Sequence, residues 1–424
     1  SSTLPAMRWV VDLCYLVFLV FASPVLVSGM IRRGRHRTDW SARLGRVPES
    51  ARRDRHVPRV LLHAVSVGEV NAIRGLIPRL HASGLDVVIA VTTDTGFKRA
   101  SELFGARHAV VRYPLDLSWC VARFLRAVAP DVVALVELEV WPNFVAACHR
   151  RGATVQVING RLSERSLRRY RPFKWFISPM FRRLARVGAQ DSAIAARFQT
   201  LGVPEDRIFI DGNMKWDAAQ LRSGVDGSEA LLRSMGIDPE KPLVVAGSTA
   251  PEEHALLRDA VPSGCQLLCA PRRPEWFDEA ADVLGGCVRR SDGACGSDTG
   301  RFLLDTIGEL SQAYALADIV VIGRSFGSLH GSDMMEPVGL GVATIIGPSV
   351  SDFKSTADCL LEHGGIVQCQ PEQLGDCIAS LLNDDDERAA IAQRGQAVLL
   401  EMQGATERTA AAILDILGHA DGDS

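Results

Sequence analysis

Leu61-Leu62-His63-Ala64-Val65-Ser66-Val67-Gly68-Glu69 passes from apolar residues through small ones into a carboxylate that opens a helical pattern. The stretch reads as a strand, a tight turn and a helix start. Ser66 and Gly68 let the backbone approach a ligand closely, and Ile73, Leu76, Ile77 and Leu80 recur downstream at helical spacing. Glu69 falls in the first turn of that helix. A carboxylate there offsets the helix macrodipole. It also stands at the carboxyl end of the first strand of an α/β sheet, where such folds bind and react with ligands.

On either side of this stretch, short β-branched runs alternate with amphipathic ones. Residues 60–65, 87–93, 109–113, 132–136, 154–158 and 187–189 read as strands, with helices such as 121–128 and 144–150 between them. That alternation predicts a parallel, doubly wound sheet. After the Pro- and Gly-punctuated segment 211–242 it repeats, with strands at 243–246, 266–269, 302–304, 319–322 and 344–346. The chain of 424 residues therefore divides into a first domain over 39–218 and a second domain over 219–424, facing each other across a cleft. The last stretch, 384–417, reads as helical and is expected to cross back onto the first domain.

Charged residues at 23%, hydrophobic residues at 47% and a formal net charge of -3 exclude a disordered chain and a globally basic nucleic-acid binder. The ten cysteines show no CxxC pair and no ligand-spaced cluster with histidine, which suits reduced core thiols in a cytosolic setting. Residues 1–38 form a separate segment. From 9 to 30 the chain is almost wholly apolar, with Asp12 its only charge, and about 20 such residues suffice to cross a bilayer. Arg8 alone precedes the run, whereas Arg32, Arg33, Arg35, Arg37, Arg43 and Arg46 follow it, so the positive-inside rule leaves the bulk of the chain cytoplasmic. Asp12 and Pro24 interrupt the apolar character and leave an interfacial helix as the alternative to a spanning one.

The histidines form no HExxH, and neither a P-loop nor a GxGxxG after a strand is present, so no metal or dinucleotide cofactor is expected. Polar turns at strand ends remain. In order they carry HAVSVGE (63–69), ELEVWPN (137–143), NGRLSERS (159–166), GNMKWD (212–217), AGST (246–249), PRRPEWF (271–277), DTIGEL (305–310) and the EP of SDMMEP (332–337). The series resembles the bacterial 3-deoxy-D-manno-octulosonic acid (Kdo) transferase family from about residue 30 to 400. The resemblance implies a GT-B fold with a membrane-anchoring start, CMP-Kdo as donor, and lipid A or its tetraacylated precursor as acceptor.

By the same resemblance, Glu69 is the base that takes the proton from the acceptor's 6′-hydroxyl, and Glu139 and Lys215 support the transition state. Without it, Glu139 reads as a cap for the helix after Pro142 and Lys215 as a solvated linker residue. The family's donor contacts fall on Pro271 and Arg272, on Gly308, Glu309 and Leu310, and on Asp333, Met334, Met335 and Glu336. Because CMP leaves already activated, one base and a clamp on the departing phosphate suffice, which predicts an inverting displacement without metal.

The chain departs from the family's GGHNxLE at His330-Gly331-Ser332-Asp333-Met334-Met335-Glu336, where Asp replaces Asn. A carboxylate near a phosphate is unfavourable unless it is turned away or paired. Between 161 and 186, nine basic residues alternate with Tyr170, Phe173, Trp175, Phe176 and Phe181. Beside an anchor this pattern suits an anionic inner-membrane surface; single-stranded nucleic acid and a solvated face over core aromatics are the rival readings. Another sugar-nucleotide enzyme of the same fold, or a tethered binding protein without catalysis, are the alternative functions.

Overall fold

The computed structural model describes residues 12, 15, 38–53, 57–219, 221, 222, 224–293 and 295–422. The described residues up to 218 and those from 403 onward form one compact unit, and 219–402 form a second.

The first unit is built on seven parallel strands: β1 (Arg59–Ala64), β2 (Asp86–Val91), β3 (Ala109–Arg112), β4 (Val132–Val136), β5 (Thr154–Gly160), β6 (Arg186–Ala189) and β7 (Ile208–Ile210), in the order β3-β2-β1-β4-β5-β6-β7. Every residue of β1 and β4 is buried, which is why these strands read as unbroken apolar runs instead of alternating ones. Register fixes the faces: Leu61 lies beside Val88 and Val133, and all three pack with Phe124 and Phe144 on one side. Leu62, Ile89 and Ala134 turn to the other side, onto Ile73, Leu76, Ile77 and Leu80. Each Val, Leu, Ile or Phe among them removed from water contributes roughly 1.5–3 kcal/mol.

The helix expected after β1 forms as two pieces, Val67–Ala72 and Leu76–Ala82. Pro78 has no N–H to donate back toward Arg74, and its ring would crowd that carbonyl in a continuous helix, so the chain breaks at 73–75. The C-terminal stretch is divided as well. Helices Asp385–Met402 and Ala405–Gly422 are separated at Gly404, whose φ of 94° is left-handed. The second of them belongs to the first unit, where Ala410, Ile413 and Leu417 join the core beneath β1 and β4.

The second unit has another seven-stranded parallel sheet, β8 (Leu243–Thr249), β9 (Gln266–Pro271), β10 (Val288–Arg289), β11 (Arg301–Leu303), β12 (Ile319–Ile322), β13 (Ala343–Ile346) and β14 (Val367–Gln368), ordered β10-β11-β9-β8-β12-β13-β14. Strands β7, β10 and β14 were not expected from the pattern. All three lie at sheet edges and have at most three residues, too few to show a period.

Among the described residues no helix is long and apolar enough to cross a membrane. The expected anchoring segment 1–38 falls outside the described residues except at positions 12, 15 and 38. Asp12 is buried: it accepts hydrogen bonds from the Ser118 amide (3.0 Å) and hydroxyl and from Asn143 Nδ2 (2.9 Å).

Candidate active site

In the first sheet the chain reverses its direction of winding between β1 and β4, and the loops after these two strands carry Glu69 on one side and Glu137 and Glu139 on the other. Open α/β sheets bind ligands at this switch point. The short turn 65–66 brings Glu69 back over the strand end. Ser66 caps the helix, and its hydroxyl donates to Glu69 Oε1 at 3.0 Å while the Val65 amide donates to Oε2 at 2.7 Å. Both oxygens are thus oriented. Glu69 is only 8% exposed. Burial pushes its pKa up to about 7; the Val65 and Ser66 hydrogen bonds oppose the rise, and the negative charges of Glu137 and Glu139 add to it.

Glu137 adopts a left-handed backbone with φ of 63°, a conformation that costs a non-glycine residue roughly 1 kcal/mol or more. Its amide donates to the Ile158 carbonyl at 3.0 Å and its own carbonyl accepts from the Arg161 amide at 3.3 Å, which holds the turn against the end of β5. Its carboxylate lies 3.7 Å from Lys215 Nζ. Lys215 therefore pairs with Glu137, a residue within ELEVWPN that the sequence reading did not single out. Glu139 accepts a 2.8 Å hydrogen bond from Trp141 Nε1, and burial followed by the charge of Glu137 raises its pKa. One cation and three carboxylates so share the end of the sheet.

The motif around Lys215 separates into structural and reactive parts. Asn213 Oδ1 accepts from the Lys215 amide and Asn159 Oδ1 from the Met214 amide, each at 3.0 Å. Asp217 accepts from the Gly404 amide (2.6 Å) and the Thr406 amide (2.5 Å), capping the C-terminal helix. Only Lys215 presents a charged end to the carboxylates. His63, first in HAVSVGE, is neutral: burial, with Arg43 nearby, lowers its pKa to about 3, and it stacks on Tyr113 at 3.6 Å while Nε2 meets Thr92 Oγ1 at 3.0 Å.

In the second unit the expected donor residues sit at the carboxyl ends of β9 and β11 and beyond β12. The charges of Arg272, Asp333 and Glu336 all act on one buried hydroxyl, that of Tyr314. Burial pushes the pKa of Tyr314 well up, Glu336 and Asp333 reinforce the shift, and Arg272 and a hydrogen bond with Ser248 oppose it. That hydroxyl lies where a Cβ on Gly247 would collide with it, so the end of β8 accepts only glycine there. Glu336 takes a hydrogen bond from the Ser311 hydroxyl.

Three of the expected donor contacts are narrower than the sequence suggested. Met334, Met335 and Pro271 bury their side chains, so only their backbone could meet a ligand, and the Met335 amide is already taken within the turn. Glu309 is engaged by Arg290 at 3.0 Å and by the Thr306 hydroxyl, and the Arg290 hydrogen bond holds its carboxyl below the usual range. Gly308 has φ of 100°, and the helix that Leu310 opens is only five residues long. Asp333 accepts the Met335 amide at 2.9 Å, so at least one of its oxygens serves the turn into the helix Met335–Gly339. Among the described residues no group of three or more His, Cys, Asp or Glu is arranged to hold a metal ion.

Residues 38–218 match the family described as 3-deoxy-D-manno-octulosonic-acid transferase (kdotransferase). The chain is 31% identical over 433 residues to the 3-deoxy-D-manno-octulosonic acid transferase of Bordetella pertussis, covering 95% of this chain and 99% of that one. It is 30% identical over 377 residues to the enzyme of the same name from Haemophilus influenzae, covering 84% and 86%. Among solved structures, MurG of Acinetobacter baumannii superposes with a TM-score of 0.55 over 85% of this chain and 99% of its own, at 14% identity. This likeness supports the GT-B fold.

Proposed function

The chain belongs to the 3-deoxy-D-manno-octulosonic acid (Kdo) transferase family and is a glycosyltransferase, and from that premise we propose that it transfers Kdo from CMP-Kdo to lipid A or its tetraacylated precursor, by inversion and without metal, with Glu69 as base. The observation that carries this reading is the carboxylate at the end of β1: buried, fixed by two donors and raised to a pKa of about 7. A base poised near the working pH combines adequate ionisation with useful basicity.

In the proposed step, ionised Glu69 removes the proton of the acceptor hydroxyl as its oxygen bonds to the anomeric carbon. The bond from that carbon to the phosphate oxygen breaks, and the electron pair leaves with CMP. Lys215, held by Glu137, supplies positive charge beside the reacting groups, while Glu139 lends negative charge to an oxocarbenium-like centre. Arg272 and Glu336 of the second unit are the proposed contacts of the donor's phosphate and ribose.

The reaction is placed at the cytoplasmic face of the inner membrane. That placement is supported by the arginines following the apolar run 9–30, and by Phe173 and Trp175, which are 59% and 79% exposed on the basic stretch. Phe181 is buried in the core and Phe176 packs against it, so only part of the aromatic pattern is available to lipid. Incubation of the full chain with CMP-Kdo and a lipid A precursor, with products read by mass, tests the reading. One or more added Kdo units, undiminished after EDTA treatment, is the expected result; no transfer, or transfer that only a divalent ion restores, overturns the corresponding part.

A further inference from the structure

The helix Ser118–Val128 borders a concavity of about 540 Å³ in the first unit, lined by none of the residues assigned to the candidate active site. Four of its lining residues are arginines: Arg46 and Arg52 from the segment before β1, and Arg123 and Arg126 from the helix. Val47 and Ala127 are also among its walls, and no carboxylate lines it among the described residues. Gly45, left-handed with φ of 84°, allows the two sides to meet, because a Cβ there would collide with the Cys120 carbonyl.

The ordinary use of arginines near a helix end is to satisfy its last carbonyls and offset its dipole. Here that work is done by other residues. Arg59 Nη1 donates to the Val128 carbonyl at 2.8 Å, and Arg53 donates from its amide to the Ala127 carbonyl (3.1 Å) and from Nη1 to the Ala129 carbonyl (2.8 Å). Arg59 and Arg53 are in turn neutralised by Asp86 and Asp131 at 2.6 and 2.8 Å. Among the described residues, Arg46, Arg52, Arg123 and Arg126 have no ion-pair partner. Four guanidinium groups gathered in one concavity, without an ion-pair partner among the described residues, repel one another, in a chain whose formal net charge is -3. Guanidinium forks match phosphate oxygens in geometry as well as charge.

We propose that this concavity binds phosphate-bearing anions, and that the phosphates of lipid headgroups are its occupant. The source is argued from the other end of the same helix. Asp12, a residue of the apolar run 9–30, accepts from the Ser118 amide and hydroxyl, which sets that residue against the element carrying Arg123 and Arg126. A soluble phosphoester shares the chemistry and is the other arm of the test. The proposal does not depend on the transferase reading, but its choice of lipid rests on the membrane placement proposed above.

The experiment uses the full chain and two double variants, Arg123→Gln with Arg126→Gln and Arg46→Gln with Arg52→Gln. Sedimentation with phosphatidylcholine vesicles, with and without phosphatidylglycerol, is measured at low and high salt. Melting is followed with and without glycerol phosphate. All four side chains are exposed, and if one pair fails to fold the other carries the test. Each pair weakens binding to anionic vesicles on the order of tenfold, leaves binding to neutral vesicles unchanged, and loses part of the salt dependence. Stabilisation of the parent chain by glycerol phosphate that the variants lack assigns the concavity to a soluble phosphoester instead of lipid. Variants that match the parent on anionic vesicles and in their response to glycerol phosphate overturn the proposal.

Discussion

At Glu69 the features that serve catalysis oppose stability. Its ordinary pKa of 4.5 rises to about 7 on folding, so the folded chain holds the proton more tightly than the unfolded one. The associated stability is complete below pH 4.5 and is lost as the pH rises through 7. Glu69→Gln, which cannot ionise, should therefore be more stable than the parent at pH 8 by about 1–3 kcal/mol, with the gain shrinking toward pH 4.5, as measured by denaturant unfolding. The same variant should lose on the order of 10²-fold or more in kcat with little change in CMP affinity. A variant that is faster or equally fast removes Glu69 from the role of base. Glu137 acts on the same group through its charge. Glu137→Gln should move the acid limb of the pH–rate profile to lower pH by a fraction of a unit, and should lower kcat because Lys215 loses its 3.7 Å partner. An unshifted limb would separate Glu137 from the tuning of Glu69.

At the scale of elements, the C-terminal helix shows how a short polar motif can hold a long segment. Asp217 takes the Gly404 and Thr406 amides, and the helix Ala405–Gly422 then places Ile413 under β1 and β4. Asp217→Ala leaves those amides without their cap and should cost about 1–2 kcal/mol, with proteolysis near 403–405 as the local readout. Loss of stability without new cleavage there would place the effect elsewhere. The helices Glu164–Tyr170 and Lys174–Phe181 present a different case. Phe173 and Trp175 project into solvent while Phe181 enters the core, so Phe173→Ala with Trp175→Ala should reduce partition onto vesicles and leave the melting temperature unchanged. A lowered melting temperature would make them packing residues.

At the scale of the whole molecule, each of the two units has its own parallel sheet, and unfolding need not be one cooperative step. A nucleotide held by the second unit should raise the transition of that unit selectively, by about 2.7 kcal/mol at a hundred times its dissociation constant. CMP should do so and UDP should not. Protection by UDP alone would redirect the donor assignment toward a different sugar nucleotide.

The strand and turn at 61–69 were legible because a buried parallel strand is a continuous apolar run, and because a small-residue turn followed by an acidic first helical turn is a local arrangement. Repetition of that signal made two α/β units readable, and the ordered loop motifs made the family readable. Edge strands β7, β10 and β14 were not, since two or three residues carry no period. The break at 73–75 had its cause in Pro78, but the apolar spacing runs straight across it and concealed it. Pairing was beyond reach. That Lys215 meets Glu137, that Glu309 is engaged by Arg290, and that Asp333 accepts the Met335 amide depend on which loops the sheet order and side-chain geometry bring together. The sequence by itself determined the longer elements, the fold class and the residue types at the strand ends, because periodicity and turn chemistry act over a few neighbours. Only the tertiary structure decided the pKa of Glu69 and the partners of each charge, because burial and Coulomb interaction depend on distances between residues far apart in the chain.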